Sequence, residues 1–173
     1  MSGPVFVLER CTLRPWRRDD LDSLIRHAND ERVAATVRDL FPSPYRREDG
    51  KRWLEHATDE GRGSNFAIDV GGEAVGAVGM IAGQDVHRIR AEVGYWLGHA
   101  HWGRGIMSEA MRAFGDHLIS ERGFLRLEAP VFETNPASAR VLEKAGFERE
   151  SVQRRSAIKL GRIIDVWFYV RLA

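Results

Sequence analysis

Between Asn65 and Gly98 three consecutive runs, NFAIDV, EAVGAVGMI and AEVGYWLG, read as strands. Only Gly71-Gly72 separates the first two, so they predict a β-hairpin with a tight turn. The period then changes. Ile106, Ala110, Met111, Phe114, Leu118 and Ile119 recur at helical spacing up to Gly123, after which FLRLEAPVF resumes a strand pattern. A strand, a long helix and a second strand in one sheet require a parallel crossover. The chain therefore has to combine an antiparallel meander with one crossover.

The flanking segments fit around that pattern. Val5 to Leu13 predicts an opening strand, stopped by Arg14-Pro15. Asp19 or Asp20 is placed to cap a helix carrying Leu21, Leu24, Ile25 and Ala28. A shorter helical piece around Glu31 to Val37 ends before Phe41-Pro42-Ser43-Pro44, and REDGKRWLEHA predicts a helix with Trp53, Leu54 and Ala57 on one face. After the crossover, Asn135-Pro136 opens a short helix from Ala137 to Lys144, closed at Gly146. Two strands, Phe147 to Ile158 and Ile163 to Leu172, turn at Leu160-Gly161. The order β-α-α-β-β-β-α-β-α-β-β describes an α+β fold: a mixed, mostly antiparallel central sheet of about seven strands with helices on both faces. With no repeat, low-complexity run or linker, a single domain over residues 1–173 is expected.

Composition narrows the function classes. A formal net charge of +1 provides no global field for nucleic acid or an anionic membrane, so any anion must be held by a local site. Cys11 is the sole cysteine and has no partner for an internal disulfide. With no leader-like segment or long apolar run, a reducing cytoplasm is the expected location. The setting of Cys11, VFVLERCTLRP, favours packing in a sheet over nucleophilic chemistry.

The local site is sought in GYWLGHAHWGRGIMSEAM, which joins the last meander strand to the crossover helix and sets Gly103 and Gly105 around Arg104. A helix N-terminus exposes unpaired N–H groups and about half a positive charge, and glycines let an anion reach the backbone without meeting a Cβ. Trp102, Gly103, Arg104, Gly105, Ile106, Met107 and Ser108 offer successive N–H groups there. The plainer alternative is a tight strand–helix turn with a solvated arginine. Two phosphate motifs fail. Gly98 to Gly103 has the outer spacing of a P-loop, but Arg104 and Gly105 stand where Lys and Ser/Thr are required. Gly103 to Ser108 approximates a dinucleotide fingerprint with Ser108 in place of the third glycine, yet it follows a meander rather than a parallel unit.

The arrangement resembles the pyrophosphate loop of the GNAT superfamily of N-acetyltransferases. AEVGYWLGHAHWGRGIMSEAM is similar to that family's acyl-CoA-binding strand, loop and helix, and ETNPASARVLEKAGFERE to its second block. LRPWRRDDLDSL and Asp165 to Tyr169 resemble the subgroup that acetylates N-terminal amines of ribosomal proteins, so the likeness covers essentially the whole chain. Two positions depart from the usual loop: Trp102 opens it in place of Gln or Arg, and Met107 stands where Gly or Ala is usual. Met107 is tolerable there if its side chain points into the core.

The resemblance implies acetyl-CoA as cosubstrate, no metal, and an amine acceptor: a peptide N-terminus or a small molecule. Backbone groups of Tyr95, Trp96 and Leu97 would pair with the pantetheine arm, and N–H groups of Gly103 to Ser108 would hold the pyrophosphate. Asn135 would bond the pantetheine amide, cap the Pro136 helix, or both. For catalysis the resemblance points to Ser138 as the acid that protonates the leaving thiolate, since Leu142 stands where many members have a tyrosine. Glu92 is the candidate base, acting directly or through a water. The bland alternatives are a helix-surface hydroxyl for Ser138 and a strand-end ion pair for Glu92. His99 and His101 have a metal-pair spacing but no third ligand near them in sequence. On the acceptor side lie Trp16, Arg17, Arg18, Phe41, Tyr45, Arg46 and Arg47, where the arginines suit an acidic acceptor or form a solvated face. A non-catalytic acyl-CoA-binding or sensor module is the competing function. The final strands also leave an edge on which a homodimer could form.

Overall fold

The first expected strand is split. In the computed structural model, which describes residues 4–58 and 64–173, β1 (Phe6–Val7) and β2 (Thr12–Pro15) pair antiparallel across a turn. The cause is a carboxylate. Glu109 Oε1 accepts the Glu9 N–H and Oε2 the Arg10 N–H, both at 3.0 Å, so these two amides are withdrawn from any strand ladder. Cys11 follows the turn and is 6% exposed, with its thiol pushed up to about 11, chiefly by burial. It has the core position that the sequence suggests.

The remaining elements follow the expected order. They are α1 (Leu21–Ala28), α2 (Glu31–Ala34), α3 (Arg47–Thr58), β3 (Asn65–Val70), β4 (Glu73–Ala82), β5 (Arg90–Leu97), α4 (Ile106–Ser120), β6 (Arg126–Phe132), α5 (Pro136–Lys144), β7 (Glu148–Lys159) and β8 (Arg162–Leu172). Eight strands lie in the order β1-β2-β3-β4-β5-β6-β8-β7, one more than expected because of the split. The β3–β4 hairpin turns at Gly71-Gly72 as its sequence requires, and β5 pairs parallel with β6 through the α4 crossover. Asp20 precedes α1, but its carboxylate does not cap that helix. It accepts from the Arg17 N–H (2.8 Å) and from both terminal nitrogens of Arg14 (2.8 and 2.7 Å).

The chain forms two compact units from interleaved segments. One comprises residues up to Gly79 with Tyr95–Ala110, the other Met80–Gly94 with Met111–Ala173. The core of the first unit gathers Trp16, Leu24, Ala28, Tyr45, Leu54, Ala67, Ala74 and Ala77, with Leu21, Phe41, Trp53, Ala57 and Trp96 packed around them. The helical spacing in α1 and the Trp53/Leu54/Ala57 face of α3 are what turn these side chains inward. In the second unit, β6 alternates strictly, burying Leu127, Ala129 and Val131, while Phe114, Leu118 and Leu142 are fully buried from α4 and α5.

Candidate active site

In the first unit, β5 leads through a single helical turn (His99–His101) into Trp102–Gly105 and then α4. Gly103 has φ +72° and Gly105 φ +77°, a left-handed backbone that a side chain would strain. Two left-handed residues in four reverse the chain sharply and hand it to the helix, whose first bond runs from the Glu109 N–H to the Gly105 carbonyl at 3.1 Å. That leaves the amides of Ile106 to Ser108 ahead of the first intrahelical bond, as at any helix start. Trp102, Gly103, Arg104 and Gly105 are exposed, while Ile106 and Met107 are buried at 4% and 6%. Met107 thus takes the inward orientation that its place in the loop demands. Around Gly103 an added Cβ would meet nothing within 4 Å. The loop has room for a group to approach its backbone.

Trp102 fills the opening position of the loop in its own way. Its indole N–H donates to the Leu97 carbonyl at 2.7 Å, tying the loop to the end of β5, and its ring lies 4.9 Å from that of His99. Trp96 faces β4 closely enough that a Cβ on Gly76 would come 2.4 Å from the Trp96 carbonyl oxygen. The parallel ladder of β5 with β6 spans Arg90–Glu92 against Arg126–Glu128, and β5 runs on to Leu97 beyond it. This continuation is the stretch from which the sequence suggests backbone pairing to a pantetheine arm.

The second unit carries the other candidates. Glu92 is half-buried on β5 opposite Glu128, whose carboxylate is bonded by Arg90 (3.0 Å) and Arg126 (2.7 Å). Asn135 performs its capping role: its side-chain oxygen accepts the Ser138 N–H at 3.2 Å at the start of α5. Ser138 stands half-buried in the first turn of that helix, and Leu142 is fully buried one turn later. The one deeply buried tyrosine of this unit, Tyr169, donates its hydroxyl to Glu143 at 2.9 Å.

Several features escaped the sequence reading. Arg14, 3% exposed, joins Asp20 and Asp69 (2.7 Å each) in a buried charge cluster that holds its guanidinium protonated. His27 donates to Glu73 at 3.1 Å, and its ring lies edge-on to His101, with centroids 5.3 Å apart. The approach of His27 to the chain leaves no room for a Cβ at Gly98. Among the described residues, the buried side-chain polar atoms lacking a partner are Trp16 Nε1, Trp53 Nε1 and His101 Nδ1, and no metal-binding group of His, Cys, Asp or Glu is found. No described helix is long and apolar enough to cross a membrane. Of the residues expected on the acceptor side, Tyr45 is buried and Phe41 half-buried, while Arg17, Arg18, Arg46 and Arg47 are exposed. No sequence pattern announces the Arg14–Asp69 and His27–Glu73 contacts, because each joins residues more than forty positions apart.

Over 166 residues the chain is 32% identical to the uncharacterized N-acetyltransferase p20 of Bacillus licheniformis, covering 93% of this chain and 92% of that protein. Over 82 residues it is 32% identical to the ribosomal-protein-serine acetyltransferase of Escherichia coli K12, covering 47% and 46%. Its fold matches that of RimL, a ribosomal L7/L12 alpha-N-protein acetyltransferase solved in complex with coenzyme A, with a TM-score of 0.85 at 22% identity over 98% of both chains. Residues 10–148 match the family model described as the acetyltransferase (GNAT) domain, and the chain belongs to that family of acetyl-CoA-dependent N-acetyltransferases.

Proposed function

We propose that residues 1–173 act as one domain that transfers the acetyl group of acetyl-CoA to a primary amine, either a protein N-terminus or a small molecule, by direct attack. The observation that carries this reading is the exposed left-handed turn at Gly103 and Gly105, which delivers successive amides to the start of α4 straight after the end of β5. It suits a pyrophosphate, because oriented N–H groups and the helix dipole act together on the same anion. Trp102 to Ser108 hold the pyrophosphate, with Arg104 adding charge, and Tyr95, Trp96 and Leu97 line the pantetheine arm. The Leu97 carbonyl already accepts from Trp102, so Tyr95 and the Leu97 N–H carry more of that pairing. Asn135 spends its oxygen on the α5 cap and has only its amide N–H groups to offer the pantetheine.

In the reaction, Glu92 accepts a proton from the ammonium form of the acceptor, directly or through a water. The neutral amine then attacks the thioester carbonyl, forming the C–N bond. As the C–S bond breaks, Ser138 passes its hydroxyl proton to the leaving sulfur and is reprotonated by the second proton lost from the attacking nitrogen. The products are the neutral amide and CoA, and Glu92 returns the first proton to solvent. Proton transfers of this kind contribute about 10²–10⁴-fold each. The test follows thiol release from acetyl-CoA with a panel of primary amines. Glu92→Gln and Ser138→Ala are each expected to lower kcat by at least about tenfold while CoA affinity stays within twofold. Unchanged turnover in both variants removes these assignments. CoA binding without turnover of any amine favours the sensor module.

A further inference from the structure

The β7–β8 hairpin ends in a turn whose sequence contradicts its backbone. Leu160 and Gly161 have φ +49° and +73°, between Lys159 and Arg162, which face each other across the ladder. Positive φ at both central residues defines a type I′ turn, in which asparagine, aspartate or glycine is the ordinary first residue. Leucine there meets the Cβ clash of a left-handed backbone. It gains no burial in return, being 77% exposed. A residue that breaks the local rule and stays in solvent calls for a contact outside its own chain.

Its neighbours extend that surface. Ile158 and Ile163 pair across the strands and are 70% and 55% exposed. Past the Phe132–Val166 pair, where β6 ends, β8 pairs with β7 alone among the described residues. The two faces of this arm differ: Lys159 and Ile164 on one are buried, whereas Ile158 and Ile163 on the other are exposed. Register also sets the exposed face apart from the candidate base. Glu92 is opposite Glu128 and Glu128 opposite Val170, which lies an even number of residues from Ile164. Ile163 and Ile158 therefore stand on the reverse of the sheet from Glu92.

The charge along this arm has one sign. Ser151 to Ile164 contains Arg154, Arg155, Lys159 and Arg162 and no acid, in a chain whose cations and anions otherwise balance, 26 against 25. The three arginines are exposed. Asp165, the next acid along the chain, accepts the Arg155 N–H at 2.7 Å. Exposed aliphatic side chains flanked by cations suit a partner with an apolar centre and an acidic rim. The same hairpin of a second copy would set cations against cations. Nor does the arm carry an aromatic residue of the kind that anchors proteins at a lipid interface. We propose that Ile158, Leu160 and Ile163, flanked by Arg154, Arg155 and Arg162, dock an acidic amphipathic helix of a partner protein. The isoleucine pair is one cross-strand spacing wide, about 5 Å, which matches the single apolar stripe of such a helix. Acids beside that stripe meet the arginines. This surface stands apart from acetyl transfer and does not depend on that reading.

The probe is a synthetic peptide with leucines at helical spacing and glutamate elsewhere. Its control keeps the leucines and carries lysine in place of glutamate. Binding to the full chain is read from the methyl resonances of Ile158, Leu160 and Ile163. The glutamate peptide is expected to shift all three and to bind at least about tenfold more tightly than the lysine peptide. Raising the salt to about 0.5 M should weaken it. Leu160→Asn is the decisive variant, because Asn-Gly is a favoured type I′ pair. It is expected to weaken the glutamate peptide at least about fivefold while the melting temperature holds or rises. A lower melting temperature would mean that Leu160 serves the fold, and would overturn the proposal. No shift with the glutamate peptide, or equal binding of both peptides, would do the same. Methyl shifts with phosphatidylglycerol vesicles but not with peptide would assign the surface to lipid. Shifts on concentrating the protein alone would assign it to a second copy, and either result overturns the proposal.

Discussion

Arg14 shows how much depends on single side chains. Its guanidinium bonds both the Asp20 and the Asp69 carboxylates in its buried cluster, and its substitution strands two acids in a low-dielectric site. Breaking such a pair typically costs about 3–5 kcal/mol, so Arg14→Leu is expected to lose about that much in urea unfolding. A loss below about 1 kcal/mol would mean that the cluster is solvated. His101 gives a pH signature. Burial, followed by the nearby His27 and Arg104 charges, holds its pKa below the usual imidazole value, against a smaller opposing effect of Glu73. The unfolded chain therefore takes up this proton first as pH falls. The stability due to neutral His101 is complete above about pH 6.5 and declines below it, towards the depressed folded value. His101→Gln should flatten that part of the stability–pH curve, which a series of melts from pH 7.5 to 5 would show. His117, depressed mainly by burial, supplies a parallel slope that the substitution leaves in place.

At the level of elements, the loop and its helix are the most exposed to backbone chemistry. Gly105→Ala puts a Cβ on a residue at φ +77°, a strain of about 1–2 kcal/mol. It should therefore lower both the melting temperature and CoA affinity. An alanine variant that binds CoA like the parent would separate the glycine from ligand binding. Gly76→Ala has a different fault: its Cβ meets the Trp96 carbonyl oxygen at 2.4 Å, so β4 and β5 must shift apart. Most elements were legible because their period and punctuation agree. The Gly71-Gly72 turn, the apolar stripe of α4 and the Asn135-Pro136 start of α5 each carry a local signal. The split of the first strand was not legible, because the Glu109 carboxylate that takes the Glu9 and Arg10 amides lies about a hundred positions away in sequence.

For the whole molecule, the succession of elements and the crossover followed from the meander and the helix that interrupts it, and the sharp turn into α4 from the two glycines ahead of a helix start. Contacts set by tertiary packing did not follow. The His27–Glu73 pair, the Arg14 cluster and the partnerless indoles depend on where distant segments meet, which no local period encodes. Even the resemblance to a family named the coenzyme more firmly than the acceptor, since the loop is a backbone device whereas acceptor recognition depends on side chains. The proposed role of this backbone loop is to hold the pyrophosphate of acetyl-CoA. Thermal unfolding with acetyl-CoA, CoA, ATP and NADH, each in a separate sample, tests it most directly. Ligand at about a hundred times its Kd stabilises the native state by about 2.7 kcal/mol, or roughly 5–10 °C for a chain of this length. That shift is expected with acetyl-CoA and with CoA, and its loss in Gly105→Ala. No shift with either, or a larger one with ATP or NADH, would contradict it.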